Sequence, residues 1–149
     1  MGISITSMKK YFYFAIALVA CALAFTSCNQ KIDSPLVGWW SVSTYLVDET
    51  TQQERAASNE LNFFDNGQFQ QNLYYKGTFD GFYAMGTWSV NGNKVTISKT
   101  TSGKINNNNF VNDSSFKPYT EEYTWRIDGH YLYLKTADGT VYEFRDGEP

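Results

Sequence analysis

Gly38-Trp39-Trp40-Ser41-Val42-Ser43-Thr44-Tyr45-Leu46-Val47 decides the fold. From Trp40 onward the run alternates: Trp40, Val42 and Leu46 fall on one side, Ser41, Ser43 and Tyr45 on the other. A period of two with one apolar face marks a half-buried strand.

The pattern repeats downstream in short runs separated by turn residues. Strands are expected at residues 61–64, 68–75, 82–90, 94–99, 120–127, 131–136 and 140–145. Within them Phe69, Leu73 and Tyr75 share one phase, as do Phe82, Ala84, Gly86, Trp88 and Val90, and Tyr123, Trp125 and Ile127. Asn66-Gly67, Asn91-Gly92, Asp128-Gly129 and Asp138-Gly139 separate neighbouring runs. Such pairs tolerate positive φ and predict type I′ hairpins. Two segments lack the alternation. Residues 48–59 are polar, and Glu54-Arg55-Ala56-Ala57 predicts a helical turn across a barrel mouth. Residues 100–119, with four consecutive Asn from Asn106 to Asn109, predict a long irregular loop of the kind that is usually functional or disordered.

Eight strands joined by hairpin-length connections predict an all-β, up-and-down antiparallel sheet. Left open, it would expose two edges, and closure into a barrel removes them. An open sandwich of the same strands is the alternative.

Composition agrees. The chain has 149 residues, enough for one domain, and 17% aromatics, which suit a pleated surface. A net charge of −3 and only 12 Lys and Arg give no electrostatic footprint for nucleic acid. The two cysteines, Cys21 and Cys28, both precede the first strand, and His130 is the single histidine, so no Cys/His set for zinc is present. No cofactor and no metal are expected.

The first residues read as an export signal. Met8-Lys9-Lys10 is a positive start, and the apolar run from Tyr11 to Phe25 is shorter than the roughly 20 residues a spanning helix needs. Phe25-Thr26-Ser27-Cys28 ends that run and resembles a bacterial lipoprotein signal of the Bacteroidetes type; Leu18-Val19-Ala20-Cys21 is the competing match. The resemblance implies cleavage after residue 27, acylation (palmitate among the chains) of Cys28, and attachment to the membrane through that lipid anchor. Asn29 after the cysteine, rather than Asp, implies the outer membrane, facing either the periplasm or the surface. Residues 28–35 then form a polar tether and residues 36–146 the domain.

Within that domain Gly38-Trp39-Trp40 fits the Gly-x-Trp signature of lipocalins. Phe63-Phe64-Asp65-Asn66-Gly67-Gln68-Phe69, Gly86-Thr87-Trp88-Ser89-Val90-Asn91-Gly92-Asn93, and Leu132-Tyr133-Leu134 before Asp138-Gly139 are similar to hairpins of bacterial lipocalin-like domains. The resemblance spans about residues 36–145. It implies an eight-stranded lipocalin-like β-barrel with Trp40 closing one end. It also implies an Arg on the last strand packed over that Trp; Arg145 is the candidate, although the phase of Tyr142 and Phe144 sets it outside.

Two functions follow as expectations. In the first, Trp40, Val42, Leu46, Phe63, Phe69, Leu73, Trp88 and Trp125 line a cavity for a small apolar ligand. In the second, the same rings fill the barrel and the loops at 48–59 and 100–119 engage a protein partner, as an envelope component or protease inhibitor. A contiguous apolar cavity of roughly 300 Å³ or more, open at one mouth, would support the first, and a solid interior would leave the second. No enzyme is expected: Glu121 and Glu122 are adjacent and would point to opposite faces of a strand, His130 sits in a turn without a partner, and no P-loop, nucleophile elbow or EF-hand spacing is present.

Overall fold

A computed structural model describes residues 31–147. The leader, with Cys21, Cys28 and the proposed cleavage point, lies outside the described residues. Nine strands follow in order: β1 Gly38–Val47, β2 Glu54–Phe63, β3 Gln68–Tyr75, β4 Gly81–Asn91, β5 Lys94–Asn106, β6 Asn109–Asn112, β7 Tyr119–Asp128, β8 Tyr131–Lys135 and β9 Val141–Asp146. Each of β1 to β5 pairs antiparallel with the next, β5 with β7, β7 with β8, β8 with β9, and β9 returns to β1. The result is the eight-stranded antiparallel closed barrel expected of a lipocalin-like fold. β6 stands outside the ring and pairs only with the far half of β5.

Side-chain phase builds the interior. Trp40 lies opposite Leu61, Phe63 opposite Phe69, Trp88 opposite Ile97, and Leu132 opposite Phe144. These eight residues form one buried cluster with Leu36, Val95 and Leu134. Phe63 anchors it, with ring centroids 5.3 Å from Phe69 and 5.2 Å from Trp88, the latter edge-on. The two indoles bury their apolar bodies and still satisfy their N–H groups: Trp40 Nε1 donates to the Leu36 carbonyl at 2.9 Å and Trp88 Nε1 to the Phe64 carbonyl at 2.8 Å. Leu36 is fully buried, and Ile32 packs against the same cluster while its N–H donates to the Asp65 carbonyl at 2.7 Å. Ile32, in the segment expected to be a polar tether, thus packs beside Leu36 at the closed end.

Four differences from the sequence reading have physical causes. Residues 54–57 are strand, not helix: Arg55 and Ala57 lie opposite Leu46 and Thr44 of β1, and tertiary pairing overrides weak helical propensity. The tight turn at 48–53 is held by Asp48, whose Oδ1 accepts the Thr50 and Thr51 N–H groups. The Asx-Gly turns have a left-handed Gly, with φ of 86° at Gly67 and 58° at Gly129, but the Asx residue before it is not left-handed. They are therefore not type I′. At the first, the Gly67 N–H donates to the Phe64 carbonyl and the Phe64 N–H to the Gln68 carbonyl, a turn closed by a left-handed glycine. The type I′ turn lies elsewhere, at Asn107 (φ 47°) and Asn108 (φ 67°), in the run expected to be irregular loop.

The wall is uneven. β5 carries a bulge: Gly86 pairs with Lys99 and Met85 with Thr101, leaving Thr100 extra. A Cβ on Gly86 would run into the Ser98 carbonyl, so only glycine fits this approach. Beyond the bulge β5 leaves β7 and takes β6 as its partner. β1 and β9 are joined only through Trp40–Asp146 and Ser41–Arg145. Above Ser41 the edge of β1 on that side has no strand partner among the described residues. Arg145 lies opposite Ser41 on the outer face and is exposed, so it does not cover Trp40.

Candidate functional site

Above the packed floor the barrel holds a cavity of about 200 Å³. Its apolar base is Leu61, Phe69, Ile97, Leu134 and Phe144, one side chain from each of five wall strands. Over that base stand Asn59, Gln71, Lys99, Glu121, Tyr123 and Tyr142. These polar groups face inward for the same reason the apolar ones do. Lys99 continues the phase of Val95 and Ile97 along β5, and Glu121 that of Tyr123, Trp125 and Ile127 along β7.

Two hydrogen-bonded groups organise the ring. Lys99 Nζ lies 3.4 Å from Glu121 Oε2, and the Tyr123 hydroxyl donates to the same oxygen at 2.7 Å. Burial, then the Glu121 carboxylate, push the Tyr123 phenol far above its ordinary range, so it stays a donor. Lys99 is also 3.4 Å from the Tyr119 hydroxyl, with its ammonium 5.5 Å from that ring's centroid. The Lys99 side chain is 11% exposed and that of Glu121 28%, so the pair is shielded yet reachable. Across the lumen Gln71 Nε2 donates to Asn59 Oδ1 at 2.9 Å. Tyr142 is half exposed and sits on β9 where that strand has parted from β1.

Nearer the mouth the polar character persists. The Arg55 guanidinium stacks 4.2 Å from the Tyr75 ring centroid and bonds Asp48 at 2.9 Å, while Lys104 pairs with Glu49 at 3.0 Å.

Of the eight residues expected to line a ligand cavity, Phe69 does so. Trp40, Phe63 and Trp88 are buried in the floor, and Val42 and Trp125 pack against it. Leu46 and Leu73 are half-buried farther up β1 and β3. The groups that the apolar reading passed over are the polar ring itself. Its signal was a charged residue in the apolar phase of two strands. Glu121 and Glu122 do part to opposite faces, Glu122 pairing outside with Lys94 at 3.3 Å. His130, expected without a partner, has its Nδ1 3.1 Å from Asp146 in an exposed pair. Among the described residues no three His, Cys, Asp or Glu side chains are grouped to hold a metal.

Compared with protein-family models and with curated proteins, the chain matches none.

Proposed function

We propose that this protein is a lipid-anchored, lipocalin-like protein of the cell envelope, held at the outer membrane through Cys28, that binds a small molecule in its barrel. The observation that carries the binding reading is the open cavity of about 200 Å³ with an ion pair and two amides above an aromatic floor. Such a lumen is concave, preformed and mostly apolar at its base with a few placed polar groups, the usual make-up of a ligand site. It is smaller than a typical drug-sized pocket of about 300–1,000 Å³, so its occupant is small. The apolar floor takes the apolar face of that occupant, as the hydrophobic-ligand expectation requires; the ring above selects for polar groups. In this reading the site binds and does not catalyse.

A second reading, contact with a protein partner, is favoured by one feature: the β6 hairpin holds Phe110 and Val111 44% and 50% exposed.

Native mass spectrometry of the protein purified from its own host tests the first reading: a small molecule should co-purify. A protein with an unliganded mass, and no shift in any lumen amide resonance with host metabolite extract, would leave the second. Separately, Cys28→Ala should move the protein from the membrane to the soluble fraction, and Cys21→Ala should not; the reverse pattern relocates the anchor.

A further inference from the structure

The hydrogen-bonding capacity left over in the lumen specifies the kind of ligand. Both bonds to Glu121 land on Oε2: Lys99 at 3.4 Å and Tyr123 at 2.7 Å. Oε1 of the same carboxylate accepts no bond from the described residues. The Asn59–Gln71 pair uses one amide N–H and one carbonyl. Whichever way the two amides are turned, one NH₂ and one carbonyl remain between them. Lys99 has three N–H donors and two partners, Glu121 and Tyr119. The ring therefore offers donors and acceptors side by side, on opposite walls of one space.

Charge narrows the class. Lys99 and Glu121 cancel, so the lumen exerts no net attraction on an ion. An anionic ligand would meet the Glu121 carboxylate, and a cationic one the Lys99 ammonium, in a partly shielded space where like charges repel more than in bulk water. A hydroxyl suffers neither penalty, because it donates and accepts at once. Carboxylate oxygen, amide and ammonium are each matched by a hydroxyl. Beneath them Phe69 and Phe144, both nearly fully buried, belong to the apolar base that a C–H face would meet. Size agrees: at about 30 Å³ per water in the liquid, a volume of 200 Å³ holds roughly half a dozen waters or one ligand of that bulk.

We propose that the lumen binds a small, uncharged, hydroxyl-rich molecule, a polyol or monosaccharide, seated on Phe69 and Phe144 and hydrogen-bonded by Glu121, Lys99 and the Asn59–Gln71 pair. This rests on the lumen being a binding site. The test uses the full chain in detergent, with glycerol, D-xylose and D-glucose as neutral probes, D-glucuronate and D-glucosamine as charged ones, and n-hexanol as the apolar one. Binding is followed by saturation-transfer NMR and by the amide shifts of Gln71, Lys99 and Glu121. At least one neutral probe should bind at least tenfold more tightly than either charged sugar. Glu121→Gln should weaken it several-fold, and Glu122→Gln, on the outer face, should not. Should Glu121→Gln fail to fold, Gln71→Leu replaces it with the same expectation. Tighter binding of a charged sugar, or of hexanol alone, overturns the ligand class and leaves the lumen as a site. No shift with any probe overturns both.

Discussion

Lys99 and Glu121 meet inside the barrel, Nζ to Oε2 at 3.4 Å, from two strands that lie side by side in the wall. Neither charge is free to relax into bulk water, so the two are energetically one unit. Lys99→Met leaves the Glu121 carboxylate without its cation and should destabilise the fold by about 1–3 kcal/mol. The double variant Lys99→Met/Glu121→Gln removes both charges and should recover most of that loss, since exchanging a whole shielded pair for neutral groups is often close to neutral. Urea unfolding of the wild type, both single variants and the double variant measures the coupling. Additive losses would mean that the pair does not act as a unit.

Leu36 precedes the first strand yet is fully buried, with its carbonyl bonded to the Trp40 indole. Leu36→Ala opens a void under the aromatic floor and should cost about 2–5 kcal/mol. Thermal melts resolve a loss of that size. A shift no larger than that of an exposed substitution would show that Leu36 contributes nothing.

Gly86 sits at the β5 bulge with its Cα against the Ser98 carbonyl. Gly86→Ala forces backbone atoms apart and should destabilise by about 1–3 kcal/mol, as overpacking does. Gly92→Asn is the contrast. It lies in the β4–β5 turn, with φ of 60° and open space around a Cβ, and Asn tolerates that conformation. The two melting temperatures should separate clearly, with Gly86→Ala the lower.

Three aspartates contribute to the acid limb of stability, opposed by Glu60, whose carboxyl burial pushes up. Asp48 is held below its ordinary 3.8 by Arg55, then by the Thr50 and Thr51 N–H groups. Asp113 is lowered by Ser115, and Asp138 by Thr136 and the Thr140 N–H. Each aspartate ionises more readily folded than unfolded, so folding favours the deprotonated form. Their contribution is complete above 3.8 and is lost as the pH falls through the lower folded values. The urea midpoint should therefore drop on acidification below that point, and Asp48→Asn should flatten the drop. Asp113 and Asp138 are exposed and Asp48 is partly buried against Arg55, and the slope will be shallow; a midpoint that rises with acid contradicts the assignment.

Much of the barrel was legible in the residues because alternation and turn glycines are local signals. β1 and β3 begin and end where their apolar phase does, and the Asx-Gly pairs at 66–67, 91–92, 128–129 and 138–139 each fall between two paired strands. The first half of β2 was not legible. Its inward residues, Arg55, Ala57 and Asn59, are charged, small or polar, and only their partners on β1 and β3 make them strand. The Asn run hid a turn for a different reason: Asn107 and Asn108 take the left-handed conformation without a glycine to announce it. The site was half legible. Counting two residues on from Val95-Ile97, or two back from Tyr123, reaches Lys99 and Glu121. That the two face each other depends on β5 pairing with β7 across β6, a long-range relation that periodicity does not carry.

The seam between β1 and β9 has a consequence for how the ring comes apart. Trp40–Asp146 and Ser41–Arg145 join the two ends of the described chain, so forming them closes the longest loop among the described residues and gains two ladder pairs and the Gly147–Trp39 hydrogen bond. Loop-closure cost grows with length while the reward here stays small. This joint should therefore be the last to zip and the first to unzip, with the remaining ladders left whole. The barrel is in this sense a rolled sheet with a clasp: amides beside the clasp should exchange with solvent ahead of those in the β4–β5 ladder, and opening it would give the lumen a side exit while the rest of the wall stays folded.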